Sequence, residues 1–527
     1  MSISQHHHLG SALFDSLRKK PFQEFICDYG LNPKMKFSRG VTLSLSLLFC
    51  SYLNKRLESE KLVGVILPPG FGGILANLSL LLSGRVPVNL NFTLGREINQ
   101  EIIERIGLQT LITASKMKKK VPEFPWTNQC ILIDEIFKKL RAKRWLVLLI
   151  YTTVLIMPKR VRSHFNISTN GNTETALLLF TSGSAGKPKG VPLSHSNILA
   201  NCKQMFALQL FEEKTRVLLN LPLFHSFGLS VGMIFSTLRG LVLVCTPNPL
   251  DSKSSIRAIR EEKVEVLLGT PTFLRGYLKT AQKNDLRSVK YVVSGAEKSP
   301  GALCKQWEDF GDCEYLEGYG LTETSPAVSF NLPGNQKRKG SVGRLLGGIE
   351  CRTLDPENGQ ITDSDRGGIL CFRGPNIFNG YWEDTDLSNK TITPDGWFHT
   401  GDLGRVDRDG FLWIEGRVSR FSKIGGEMVP HSKIEDEIMN ALDMTSDQEV
   451  KLVVSAVRDE QKGERMIVLS TFEINAEEIK QKLKQIGLPN LWIPKQFLTV
   501  SVIPTLGSGK IDWQTVKKLT SKYLSDQ

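Results

Sequence analysis

Short, unbroken apolar runs recur through the first 300 residues, each stopped by a turn and followed by a segment of helical length. Leu62 to Leu67 (LVGVIL) ends at Pro68-Pro69-Gly70 and gives way to an apolar, helix-like stretch reaching Leu82, after which Val86-Pro87-Val88 resumes an extended pattern. The rhythm returns at 218–222 (LLNLP), 241–245 (LVLVC), 264–271 (VEVLLGTP) and 291–296 (YVVSGA). A strand that is apolar throughout is buried on both faces, so helices must cover both sides of a largely parallel sheet. The expected fold is therefore α/β, built in layers. From about 341 the runs shorten and Gly/Asp turns separate them (DRGGIL, DRDGFLWIEGR), which predicts a β-rich part over 341–417. Beyond 418 comes a compact mixed segment with a polar helix at 431–442 and a lysine-rich end. The pattern predicts a large N-terminal domain, 1–417, and a small α+β C-terminal domain, 418–527.

One segment breaks this pattern. Trp145 to Met157 (WLVLLIYTTVLIM) is an uncharged run of 13 residues, and between 138 and 162 lie eight basic residues and no acid. At about 1.5 Å per residue the run reaches about 20 Å, short of the roughly 30 Å hydrocarbon core of a bilayer. It does not span. Two readings stay open: a helix lying in an anionic membrane surface through 138–162, or a core helix with solvated basic flanks. Without these eight cations the formal charge falls from +13 to +5, so the remainder is only mildly basic. No nucleic-acid motif or interleaved basic and aromatic stripe is present, and nucleic acid is not an expected partner.

Composition narrows the class further. The chain has 527 residues, 41% of them hydrophobic, enough for a large core without covalent staples. Its 23% charged residues and modest Gly and Pro content exclude disordered, collagen-like and disulfide-scaffold proteins. The nine cysteines show no C-x-x-C pair and no zinc spacing with histidine. The first residues lack the basic-then-apolar layout of a signal peptide. Reduced thiols in a cytoplasmic protein, able to sit peripherally on an inner membrane, are the expectation. His6, His7 and His8 receive no role.

Candidate chemistry is concentrated at 179–190 (LFTSGSAGKPKG), where an apolar strand runs into a loop dense in Gly, Ser and Thr with two lysines. Small residues let backbone N–H groups approach phosphate oxygens, hydroxyls add donors and lysine adds charge. The G-x-x-x-x-G-K-[ST] spacing of the Walker loop is absent. The full string T-S-G-S-x-G-x-P-K-G resembles the phosphate loop of the acyl-adenylate-forming (AMP-binding) superfamily, which includes acyl-CoA synthetases, peptide-synthetase adenylation domains and luciferases. Four more stretches resemble that superfamily's motifs in the same order: GYGLTET at 318–324, WFHTGD at 397–402, Gly416-Arg417, and TLGSGK at 505–510. VGVILPPG, VPVNLNFT, LPLFHSFGL and RFSKIGGEMV are similar to the acyl-[acyl-carrier-protein] synthetase module of bifunctional bacterial lysophospholipid acyltransferases. The chain looks like a stand-alone synthetase of the chlamydial type. The one H-x4-D match, His431 to Asp436, is read as coincidence rather than an acyltransferase motif.

The resemblance implies a mobile C-terminal domain and a set of site residues. Thr181, Ser182, Gly183 and Ser184 would hold the β- and γ-phosphates of ATP, with Lys189 nearby. Thr322 would meet the α-phosphate and Glu323 would bind Mg2+. Tyr319 would stack on adenine, with Gly295, Ala296 and Glu297 in the same pocket, and Asp402 and Arg417 would hold the ribose. Lys510 would bridge carboxylate and phosphate oxygens during adenylation. His225 would gate the passage between nucleotide and acyl sites, with a plain core histidine as the rival reading. Taken singly, Glu323 could equally cap a helix, Tyr319 fill core and Asp402 close a turn. At the hinge the family usually carries Asp or Lys; Arg420 stands there, as in the carrier-protein branch. The implied activity is ATP-dependent activation of a long-chain fatty acid and transfer to the thiol of holo-acyl carrier protein. A long-chain acyl-CoA synthetase and a catalytically silent lipid-binding or membrane-scaffold protein are the alternatives.

Overall fold

The computed structural model describes residues 6–525 except 58, 143, 183–186, 425–426, 443–451, 460–462 and 506–510. Four sheets organise the chain. The largest has nine strands in the order Arg344–Leu345, Ala327–Phe330, Glu314–Gly320, Tyr291–Ser294, Val266–Gly269, Arg216–Leu219, Val242–Cys245, Glu24–Asp28 and Met35–Ser38. Its six inner strands, from Glu314–Gly320 to Glu24–Asp28, run parallel, and the outer pairings are antiparallel. A second sheet orders Gln129–Leu132, Thr110–Thr113, Leu62–Val65, Val86–Asn89, Thr175–Ser182 and Pro188–Ser194. It is parallel except for its last pair.

The doubly apolar runs read from the sequence occupy inner strands of these two sheets, and residues such as Val63, Val65, Leu218, Leu243, Leu267 and Val292 are fully or almost fully buried. A single hydrophobic cluster joins the sheets through their helices, with Trp307, Tyr277, Phe14 and Phe49 among its largest side chains. The helix Phe71–Leu82 between them is buried along nearly its whole length. Its first N–H, on Phe71, is met by the Asp28 carboxylate at 2.7 Å, an anion placed at the positive end of a helix.

The β-rich part is a five-stranded antiparallel sheet ordered Ile361–Thr362, Glu350–Leu354, Gly368–Arg373, Phe398–Val406 and Leu412–Arg417. After it, the strands Glu427–Pro430, Phe421–Ile424, Gly463–Ser470 and Leu452–Asp459 make a fourth sheet, with Gln496–Thr499 added parallel to Gly463–Ser470. The helices His431–Ala441, Ala476–Gln485 and Trp513–Ser525 accompany it. Two hydrophobic clusters there consist wholly of residues from Ile424 onward. The molecule is thus an α/β fold with a large N-terminal portion and a small α+β C-terminal one, as the hydrophobic pattern predicts.

Arg420 is held inside the C-terminal portion. Its guanidinium donates twice to Glu435, at 2.7 and 2.8 Å, once to the Val454 carbonyl at 2.7 Å, and lies 3.5 Å from the Trp513 ring centroid. A planar fork can satisfy a carboxylate and stack on an indole together, which a lysine cannot do. His431 hydrogen-bonds Ser422 at 2.7 Å and burial depresses its pKa to about 3. Burial raises the thiols of Cys27, Cys50 and Cys202 to about 12, leaving them inert. His8, given no role from sequence, accepts from Gly10 N–H at 3.1 Å as the N-cap of Leu9–Lys19 and stacks on His195 with ring centroids 3.8 Å apart.

Candidate active site

The motif residues gather beyond the carboxyl ends of the parallel strands, where open α/β sheets expose backbone groups and side chains to ligands. Thr175–Ser182 and Pro188–Ser194 form an antiparallel pair with Thr181 opposite Lys189 and Ser182 opposite Pro188. This pair brackets the loop; Gly183 and Ser184 lie outside the described residues. Ser194 then starts the next helix with a reciprocal cap, accepting from Asn197 N–H at 3.1 Å while Asn197 Oδ1 accepts from Ser194 N–H at 3.1 Å. The Asn197 amide also donates to the carbonyls of Pro375 and Ile377, at 3.0 and 2.8 Å. It therefore ties the loop's supporting helix to the segment that carries Phe378 and Tyr381.

That segment meets the 318–324 motif. Phe378 N–H donates to the Glu323 carbonyl at 2.9 Å, and the Tyr381 hydroxyl donates to Glu323 Oε1 at 2.9 Å. Lys189 Nζ sits 5.2 Å from the Tyr381 ring centroid, so one tyrosine touches both the loop's lysine and the motif's carboxylate. Trp382 N–H donates to the Gly190 carbonyl at 2.8 Å. Buried amides fix the turn from behind: Asn376 donates to the Thr324 carbonyl at 2.8 Å, and Asn201 both donates to the Ala327 carbonyl and accepts from its N–H. Each such bond contributes about 1 kcal/mol, and leaving its partner buried and unmade costs more. Gly320 is required where Glu314–Gly320 turns back: a Cβ there would collide with the Pro326 carbonyl.

Burial raises the Glu323 carboxyl above the ordinary carboxylate range, with the Tyr381 hydroxyl and Lys189 partly offsetting it. Thr322 Oγ1 lies 3.3 Å from Ser226 Oγ, which links the motif to the 222–228 loop carrying His225. His225 precedes a π-helical stretch, Phe227–Phe235, and its ring centroid is 5.0 Å from that of Phe224. Gly295, Ala296 and Glu297 follow the strand Tyr291–Ser294; the Phe227 ring covers Gly295, Ala296 takes a left-handed φ of 71°, and Glu297 accepts from the Thr272 hydroxyl at 3.3 Å.

The β-rich sheet supplies the third side. Asp402 and Arg417 face each other across neighbouring strands, with Arg417 Nε 2.7 Å from Asp402 Oδ1. The Tyr319 hydroxyl donates to Asp402 Oδ2. Burial and the adjoining Asp402 carboxylate push the Tyr319 hydroxyl well above its ordinary range, so it remains a donor at all working pH values. Tyr319, more than 80 positions before either partner, thus joins Asp402 and Arg417 in one unit held by a hydrogen bond and an ion pair. Lys510 lies outside the described residues; its flanks Thr505 and Ile511 pair antiparallel.

Sequence reasoning missed Tyr381, Ser226 and the three asparagines 197, 201 and 376. Tyr381 and the asparagines sit in none of the quoted motifs, Ser226 lies in LPLFHSFGL beside His225, and the value of all five comes from partners 50 to 180 positions away. Among the described residues no group of three or more His, Cys, Asp or Glu could hold a metal ion. Glu323 alone is compatible with magnesium, which takes one or two carboxylates and leaves its other positions to substrate phosphates and water.

Next to the site, burial raises Glu317 to about 7 from an ordinary value of 4.5. The unfolded chain releases this proton near 4.5 and the folded chain only near 7. The stabilisation is therefore complete below pH 4.5 and is lost as pH rises through about 7. Glu317→Gln removes that dependence: its unfolding midpoint should gain on wild type between pH 5 and 8, measured by thermal denaturation. Parallel curves for both proteins would reject the assignment.

These elements define a layered α/β fold, and the family follows from comparison. The model of the AMP-binding enzyme family matches residues 44–382, more than half of the chain, which therefore belongs to that family. A mitochondrial medium-chain acyl-CoA ligase, ACSF2, from Danio rerio is 31% identical over 356 residues, covering 66% of this chain and 58% of the relative. The chain thus spans a little under three fifths of the ACSF2 relatives it matches. A probable 4-coumarate–CoA ligase from Dictyostelium discoideum is 29% identical over 440 residues, 80% of this chain and 78% of the relative. A long-chain-fatty-acid–CoA ligase of Bacillus subtilis is 28% identical over 368 residues, 68% and 63% of the two chains. ATP-bound MatB from Rhodopseudomonas palustris shares the fold with a TM-score of 0.79 at 22% identity, covering 98% of this chain and 99% of that one.

Proposed function

We propose that this protein activates a fatty acid with ATP and passes the acyl group to a thiol. The observation that carries the reading is the junction at Glu323, where Tyr381 joins the carboxylate to Lys189 of the Ser/Gly loop while Thr322 faces Ser226. It supplies hydroxyls, a lysine and a buried carboxylate around one space, the donor set a nucleotide triphosphate with a hard cation needs. In the first step a substrate carboxylate oxygen attacks the α-phosphorus, the bond to the β-phosphate breaks, and pyrophosphate leaves. In the second a thiolate attacks the acyl carbon and AMP leaves. Magnesium, when bound, supplies charge compensation for the phosphates.

On this reading Thr181, Ser182, Gly183, Ser184 and Lys189 cradle the outer phosphates and Thr322 the inner one. Tyr319 and the 295–297 loop hold adenine. Asp402, oriented by Tyr319 and Arg417, accepts hydrogen bonds from the ribose hydroxyls, because a carboxylate fixed by two donors keeps a defined direction for its remaining lone pairs. His225 gates the acyl side. Residues 1–417 act as the adenylate-forming domain and 418–527 as a mobile domain delivering Lys510, with Arg420 bound to the moving side.

The finer reading names holo-acyl carrier protein as acceptor, on the strength of the sequence resemblance and the +5 charge that remains without the eight cations of 138–162, since carrier proteins are acidic. Coenzyme A is the second reading, favoured by relatives whose names are all acid–CoA ligases. One assay separates them: ATP and labelled palmitate with either holo-carrier protein or coenzyme A, scored for thioester. The carrier reading expects efficient transfer to the protein acceptor, with a rate that falls steeply with salt because opposite charges steer the encounter. A clear preference for coenzyme A under matched conditions replaces it with the second reading. Absence of both thioester and acyl-AMP would point to a silent scaffold.

A further inference from the structure

The apolar run at 145–157 forms the helix Arg144–Ile156, and the structure divides its two faces. Val147, Ile150 and Val154 turn inward, Val154 being only 5% exposed, and Tyr151 lies over Gly40, where a Cβ would collide with its ring. The opposite stripe stays outside. Trp145 is 65% exposed, Leu148 63% and Ile156 74%, with Leu149 and Leu155 between them. Phe22, 81% exposed, extends the patch from another part of the chain, its ring 5.7 Å from that of Tyr151. A continuous apolar surface of this kind is uncommon on a protein that meets only water.

The helix is flanked along the chain by charges of one sign. Lys138 and Lys139 lie before the helix and Lys159 and Arg160 after it, all exposed, with no acid between 138 and 162. Arg162 does not belong to this group: it turns inward to Asp15 at 2.6 Å. The two threonine hydroxyls on the helix are satisfied internally. Thr152 Oγ1 donates to the Leu149 carbonyl at 2.9 Å and Thr153 Oγ1 to the same carbonyl at 2.7 Å. Neither loses a partner on leaving water, so the stripe can enter an apolar medium at little polar cost. No helix among the described residues is long and apolar enough to cross a membrane.

We propose that the helix Arg144–Ile156 and Phe22 form a monotopic docking face for an anionic lipid surface, lying in the plane of the interface. Aliphatic and indole groups enter the boundary between headgroups and acyl chains while the flanking lysines meet anionic headgroups. The inference is independent of the reaction catalysed. A second copy of the chain fits less well, because pairing two such faces would bring their basic flanks together.

The test is sedimentation of the full chain with phosphatidylcholine vesicles, with and without phosphatidylglycerol, at low and high salt. Wild type should partition onto the anionic vesicles and be released by salt. Lys138→Gln, Lys139→Gln and Lys159→Gln combined should weaken partitioning by roughly tenfold or more, and Leu148→Ser with Ile156→Ser should do so even at low salt. All these side chains are exposed, so the variants should keep the wild-type circular dichroism and melting midpoint. Bromine-labelled acyl chains should quench wild-type fluorescence and quench Trp145→Phe less. Wild type that ignores anionic vesicles at low salt overturns the proposal. A dimer in sedimentation velocity that Leu148→Ser with Ile156→Ser converts to monomer assigns the face to a second copy instead.

Discussion

Lys510→Ala should reduce acyl-adenylate formation by about 100-fold or more, equivalent to about 3 kcal/mol of lost transition-state stabilisation. Two anions meet in this step, a carboxylate and a triphosphate, and negative charge builds on the oxygens around phosphorus. A positioned ammonium group offsets that charge at the moment it develops, whereas it gains less from either ground-state reactant. The variant should fold as wild type does, because the flanking Thr505 and Ile511 pair through their backbones, which the substitution leaves unchanged. It should also make thioester from supplied acyl-adenylate, since the role proposed for the lysine is confined to the first step. ATP–pyrophosphate exchange reads the first step and thioester formation from synthetic adenylate reads the second. Exchange at the wild-type rate would remove Lys510 from the chemistry; loss of both activities would make its role structural.

Glu323→Gln should raise the magnesium concentration needed for half-maximal activity on the order of tenfold or more, because a neutral amide is a poorer ligand for a hard cation. The substitution is mild in other respects. A glutamine carbonyl can still accept from the Tyr381 hydroxyl, and the backbone carbonyl still receives the Phe378 N–H. Raised magnesium should restore part of the rate. Burial holds the Glu323 carboxyl above the ordinary range, so protons compete with the cation as pH falls. Wild type should lose magnesium affinity toward acid pH, and the glutamine variant should lack that limb. An unchanged magnesium titration would move Glu323 out of the metal's coordination.

Much of the architecture was legible in the chain because burial writes itself into local pattern. The runs at 62–67, 218–222, 241–245 and 291–296 are predominantly apolar, and all contribute inner strands of the two largest sheets. The change of rhythm after 341 marks the antiparallel sheet, where glycine turns close short hairpins. Candidate site residues were visible for a different reason: the density of Gly, Ser and Thr makes 181–190 stand out, and 318–324 was picked out by its resemblance to a motif of the acyl-adenylate-forming superfamily. The single run 145–157 was equally visible, yet its pattern was ambiguous, since an apolar helix reads alike whether one face or both are covered.

Contacts between distant segments had no such local trace. Tyr381 carries no motif, and its link between Lys189 and Glu323 spans nearly 200 positions. The union of Tyr319, Asp402 and Arg417 depends on the β-rich sheet folding back over the strand Glu314–Gly320. Arg420 reads as a hinge residue in sequence, and only the packing shows it clamped by Glu435 and Trp513 within the C-terminal portion. Likewise tertiary packing chose which stripe of Arg144–Ile156 meets the core: Gly40 leaves room for Tyr151, so Trp145, Leu148 and Ile156 remain outside. Periodicity and composition are properties of neighbours along the chain and survive in the sequence. Hydrogen-bond partnership and the choice of buried face depend on which segments meet in space, and that is decided only when the sheets and helices pack.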